Sequence, residues 1–95
     1  MYYIYFLYSE NHDKYYVGYS DDPDRRVLEH NTNPRMTFTH KFRPWILKTY
    51  FPVSDIRGDT LKVERFIKRQ KSRRLITNLI DQPEGFKDII KKVLK

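Results

Sequence analysis

Two short aromatic runs, Tyr2 to Tyr8 and Lys14 to Ser20, flank the polar stretch Ser9-Glu10-Asn11-His12, and this pairing constrains the chain more than any other feature. The first run is apolar at both parities and rich in β-forming residues, as expected of a strand buried on both faces. The second resumes the strand pattern after turn-forming residues, so the two read as a hairpin. With Tyr8 facing Asp13 across a four-residue loop, Tyr5 falls opposite Tyr16, and Tyr3 opposite Gly18. Directly opposed residues share a sheet face, so both phenols point the same way. A slip of one residue would separate them.

Asp22-Pro23 predicts a helix start, with a side-chain acceptor at the cap and proline where no amide donor is required. That helix runs to about His30 and is stopped by Asn31-Thr32-Asn33-Pro34, Asn31 being the simplest C-cap. Arg26 and His30, four apart, share a face. Residues 35–44 form a basic, aromatic connection. Trp45 to Phe51 reads as a third strand, closed by Pro52. Asp59-Thr60 is placed to cap a second helix, with Glu64 on the side shared by Leu61 and Lys68. Ser72 caps a third helix through Ile80. Pro83 opens a fourth over 83–94, where Phe86, Ile89, Ile90, Val93 and Leu94 form an amphipathic stripe suited to core packing. The order predicts an α+β fold, a small three-stranded antiparallel sheet flanked by helices, in a single domain spanning 1–95.

Charge is regional. Residues 1–60 hold eight Lys/Arg against eight Asp/Glu, whereas 61–95 hold eleven against four and so supply the whole net charge of +7. A basic stretch of this kind suits a phosphate-facing surface, although a solvated helix face is the plainer explanation of the lysines taken alone. There is no cysteine, which excludes disulfides and thiolate zinc sites. No apolar run approaches the roughly 20 residues of a membrane span, so no membrane partner is expected and the default is a soluble, cytoplasmic protein.

Tyr3-Ile4-Tyr5, then Tyr16-Val17-Gly18, Arg26, His30-Asn31, and Glu64 followed by Lys68 form an ordered set. In residues, spacing and strand–helix order it resembles the GIY-YIG endonuclease superfamily over about residues 2–80. Within that superfamily it resembles the small single-domain branch related to the nuclease domain of UvrC. The resemblance implies a phosphodiester hydrolase using Mg²⁺ or Mn²⁺. Tyr5 and Tyr16 stand for the two motif tyrosines and Gly18 for the pattern's small residue. Arg26 and His30 stand for its helix-borne arginine and histidine, and Glu64 for the carboxylate that binds one divalent ion.

Those residue types suit the chemistry. In-line hydrolysis requires an oriented water, neutralised phosphoryl oxygens and help for the leaving oxygen. Arg26 can fork onto the phosphate. Either tyrosine can accept the water's proton if a nearby cation favours phenolate, and the sequence does not choose between them. His30 can orient a tyrosine or the phosphate, and Gly18 can let the substrate backbone approach. Two positions depart from the family pattern: Tyr3 replaces a glycine, and Tyr19 replaces a lysine that Lys14 or Lys68 would have to substitute. Asn78 is the one candidate for an asparagine that some relatives use after the glutamate.

Each residue also has an ordinary explanation. Tyr5 and Tyr16 can be a cross-strand aromatic pair, Gly18 a bulge, Arg26 a solvated helix residue, and Glu64–Lys68 a stabilising i, i+4 pair. Taken as a set, the expectation is a DNA endonuclease directed by structure, acting at branched, single-stranded or damaged sites. Lys68, Arg69, Lys71, Arg73 and Arg74 would supply salt-sensitive phosphate contacts. RNA is an alternative substrate, because Phe38, Phe42 and Trp45 near Arg35 and Arg43 can stack exposed bases or equally lie in the core. The competing classes are a nucleic-acid-binding module with this fold and little catalysis, and a domain whose basic helices meet an acidic protein.

Overall fold

The central strand follows from the first aromatic run, which is buried along Ile4, Tyr5, Phe6 and Leu7. The computed structural model describes residues 1–95, apart from the side chain of Thr37. The elements are β1 (Tyr2–Ser9), β2 (Lys14–Ser20), α1 (Pro23–Thr32), α2 (Thr37–His40), β3 (Ile46–Ser54), α3 (Arg57–Arg69), α4 (Arg73–Asp81) and α5 (Glu84–Val93). The sheet is antiparallel in the order β2-β1-β3, with helices on both faces, which is the α+β class expected.

Alternation along β1 builds two cores. Ile4 and Phe6 face Val63 and Ile67 of α3, Leu79 of α4, and Phe86 and Ile89 of α5. Phe86 stacks on Phe51 with ring centroids 4.3 Å apart. Tyr5 and Leu7 face the other way, onto Trp45 with Val27 and Phe42 around them. Trp45 is therefore core, 3 % exposed, and its indole N–H donates to the Thr39 carbonyl at 2.8 Å, which excludes it as an exposed stacking platform.

Several boundaries differ from expectation. The hairpin pairs Ser9 with Lys14, Tyr5 with Gly18 and Tyr3 with Ser20, a slip of two residues from the predicted register. The four-residue loop begins one position later, at Glu10, and its last residue, Asp13, takes a left-handed φ of 52°, which aspartate tolerates. A slip of two preserves side-chain parity, so Tyr5 and Tyr16 still share a face, as diagonal neighbours with centroids 6.3 Å apart. β3 continues through Pro52 to Ser54, because it is an edge strand and its outer side requires no donor.

The helix ends are adjusted too. α1 ends at Thr32 with Asn33 as its cap, and Asn31 instead clamps the Trp45 backbone, accepting from its N–H at 2.6 Å and donating to its C=O at 3.0 Å. α3 starts at Arg57 after Ile56, so Asp59 lies in its first turn and accepts from the Ser54 hydroxyl at 3.3 Å. Asp22 and Ser72 cap α1 and α4 as predicted.

The shifted register gives Gly18 a specific role. A Cβ there would lie 2.4 Å from the Tyr5 hydroxyl and 2.5 Å from its ring, so glycine leaves the space that the Tyr5 phenol occupies. Gly18 is itself buried, which corrects its expected place on an open path for substrate. Gly18→Ala should therefore destabilise the fold by about 1–3 kcal/mol, because Tyr5 has nowhere to retreat. A lowered urea midpoint at unchanged slope would register the loss, and an unchanged midpoint would count against the packing described.

Candidate active site

α1 brings Arg26 and His30 over the face of the sheet that carries Tyr5 and Tyr16. Tyr16, Arg26, His30, Met36, Phe38 and Thr39 line a cavity of about 240 Å³. Tyr5 lies behind its wall, 1 % exposed, and its hydroxyl bonds to Nε2 of His30 at 2.8 Å. His30 is equally buried, with Nδ1 2.9 Å from the Thr39 hydroxyl. That hydroxyl donates to the Met36 carbonyl at 3.4 Å, so it accepts from His30 Nδ1–H. His30 Nε2 is then the acceptor for Tyr5 O–H, and the network fixes the tautomer. Both ring nitrogens of His30 are thus taken up, one by Tyr5 and one by Thr39, while an edge of the ring lines the cavity.

Burial, with Arg26 next in importance, pushes the His30 pKa down to about 4, keeping the ring neutral. In the unfolded chain it titrates near 6.5. Between these values the unfolded state binds more protons, so stability rises with pH. The contribution is complete above about pH 6.5 and falls by up to about 3 kcal/mol as pH drops toward 4. Urea midpoints for wild type and His30→Gln across that interval test this: the wild-type curve should be steeper, and parallel curves would contradict a buried neutral histidine.

Burial also raises the proton affinity of both tyrosines. For Tyr5 the neighbouring Tyr16 adds to the effect and Arg26 opposes it; for Tyr16 the Glu64 carboxylate adds and Arg26 opposes. Arg26, half-exposed, pairs with Glu29 at 3.1 Å and remains at the cavity. Glu64 comes from α3, and its charge acts on both phenols. Its side chain is only 13 % exposed, and burial raises its pKa against the pull of Lys68, 3.8 Å away. Lys68 Nζ also lies 5.2 Å from the Tyr16 ring centroid. Of the two lysines considered as substitutes for the one missing at Tyr19, Lys68 therefore reaches a site tyrosine, while Lys14 lies over Phe42. Tyr19 itself packs on the α3–α5 side.

The donor set suits Mg²⁺ or Mn²⁺. Among the described residues no cluster of three or more His, Cys, Asp or Glu forms a cage. A single desolvated carboxylate such as Glu64 is what Mg²⁺ takes from a protein when phosphate oxygens and water complete its shell.

The basic residues divide. Lys68, Lys71 and Arg73 line one pocket beside Tyr16, whereas Arg69 lines another with Lys62, Arg65 and Lys92. Arg73 is held by the Asp13 carboxylate, and Arg74 and Asn78 are exposed on α4. Sequence reading missed Thr39 and Met36, and named Phe38 only as a base-stacking or core residue. Thr39 carried no signal, since its importance depends wholly on where α2 places it beside His30.

The Tyr16 phenol and the Arg26 guanidinium thus line one cavity, with the Tyr5 phenol behind its wall and the Glu64 carboxylate close enough for its charge to act on both phenols. The family described as the GIY-YIG catalytic domain matches residues 1–77, and the chain belongs to the GIY-YIG superfamily, in its small-domain branch. It is 31% identical over 74 residues to the UPF0213 protein lwe0147 of Listeria welshimeri, a match that covers 78% of this chain and 81% of that one. No solved structure matches. Membership implies nuclease activity on nucleic acid, in a family that generally uses divalent metals. No helix is long and apolar enough to cross a membrane among the described residues.

Proposed function

We propose that the chain is a divalent-metal-dependent endonuclease that hydrolyses phosphodiester bonds in DNA and selects its substrate by structure. The meeting of Tyr16, Arg26 and the buried Tyr5–His30 pair at one cavity, with Glu64 close enough for its charge to act on both phenols, carries this reading. Glu64 would hold the Mg²⁺ or Mn²⁺ ion. When bound, a divalent cation neutralises phosphoryl oxygens and makes neighbouring water more acidic. Arg26 forks onto the phosphoryl oxygens and stabilises the charge that develops there.

Tyr16 would accept the water's proton as phenolate, its own proton having first left to solvent with Arg26 and Lys68 favouring the anion, because it lines the cavity while Tyr5 is enclosed and already donates to His30. Tyr5, His30 and Thr39 form a buried chain that holds the wall rigid. Lys68, Lys71 and Arg73 supply backbone contacts, which position a strand without reading its bases.

Purified protein with Mg²⁺ or Mn²⁺ should cut at least one member of a panel of duplex, flap and single-stranded DNAs. Glu64→Ala, prepared identically, should cut none. A panel left intact in both metals would reduce the chain to a binding module.

A further inference from the structure

Beside the phosphate cavity lies a second, larger one of about 510 Å³, and Tyr16 and Phe38 belong to the lining of both. It opens at the edge of β2, where an edge strand leaves backbone donors and acceptors unpaired. Its apolar lining includes Val17, Ile67 and Ile76, and its charged rim is Lys14, Lys68, Lys71 and Arg73. The one carboxylate at the rim, Asp13, is engaged by Arg73 and by the Tyr8 hydroxyl. The accessible field is thus cationic.

Two features have no account in the fold alone. Phe38 is 63% exposed, standing 6.2 Å from Tyr16 and 5.6 Å from Phe42 by ring centroid, so an aromatic surface faces solvent at the cavity mouth. Lys71 adopts a left-handed φ of 48° at the α3–α4 turn, a position glycine usually fills. A lysine there costs backbone strain and places its side chain on the rim.

An aromatic platform, an apolar floor and a ring of cations match one ligand chemistry, a nucleobase with its attached phosphates. The size suits a single nucleotide. A base still held in a duplex stack cannot enter. We infer that this cavity receives one unpaired nucleotide of a DNA strand, next to the scissile phosphate, with its base on Phe38 and its phosphates on Lys14 and Lys71. The inference rests on the nuclease reading only for the position of the scissile phosphate, and it specifies the substrate as single-stranded or flap DNA.

Binding without divalent metal, followed by fluorescence anisotropy, separates it from catalysis. The probes are a thymidine strand, an abasic strand of equal length, the corresponding duplex and a uridine RNA strand. Wild type should bind the thymidine strand about ten-fold more tightly than the abasic one. Phe38→Ala should erase that difference by weakening the thymidine strand about ten-fold more than the abasic one. Lys71→Ala should weaken thymidine and abasic strands alike and reduce the salt slope by about one.

Equal binding of the thymidine and abasic strands by wild type, or an equal loss on both from Phe38→Ala, overturns the pocket. Cleavage that persists in that case leaves the nuclease reading intact. Base-dependent binding without any cleavage keeps the pocket and removes the nuclease. A uridine strand held ten-fold above the thymidine one would transfer the site to RNA and overturn the DNA assignment.

Discussion

Glu64→Gln will lower phosphodiester cleavage by at least about a hundred-fold, with stability unchanged or slightly higher. The carboxylate is 13 % exposed, and burial raises its pKa above the ordinary glutamate value, so the fold disfavours its charge at neutral pH. Glutamine keeps the shape and removes the charge. Lys68 loses a partner but is itself half in solvent, where such a pair contributes little. What disappears is the one carboxylate whose field acts on both phenols and which would hold the metal. Cleavage rates across a Mg²⁺ or Mn²⁺ titration, with a thermal melt of each protein, give the two readings. Activity restored by excess metal would make Glu64 an aid to affinity only, and a large drop in melting temperature would assign it to the fold.

The second large effect separates the two tyrosines. Tyr16→Phe should cut the cleavage rate by about 10²- to 10⁴-fold, the range for losing a positioned proton acceptor. Its stability should change by less than about 0.5 kcal/mol, since the Tyr16 hydroxyl takes no hydrogen bond among the described residues. Tyr5→Phe is different in kind. It leaves the buried His30 Nε2 without its donor, which should cost about 1–3 kcal/mol of stability, with activity falling as the wall loosens. Rate constants and urea midpoints for both variants decide the matter. If Tyr5→Phe were stable and inactive while Tyr16→Phe stayed active, the two roles would be exchanged.

The fold was legible wherever local pattern and burial agree. β1 reads as buried on both faces because it becomes the central strand, and the α5 stripe of Phe86 and Ile89 becomes core. Asp22-Pro23 and Ser72 mark helix starts because capping is local chemistry. Predictions failed where a distant partner overrides a local preference. Asn31, a plausible cap, is recruited to the Trp45 backbone 14 residues away. Pro52 does not end β3, because nothing pairs with that side of the strand.

By itself, the sequence determined the alternation, caps and charge distribution, and the residue types on which the resemblance rests. These depend on neighbours within a few positions, and a hairpin slip of two residues leaves their parity untouched. Only the tertiary structure decided that Gly18 shelters Tyr5, that His30 is neutral and enclosed, that Tyr16 is the accessible phenol, and that Lys68 reaches it. Exposure and proton affinity follow from what packs against a group, and those contacts come from elements far away along the chain.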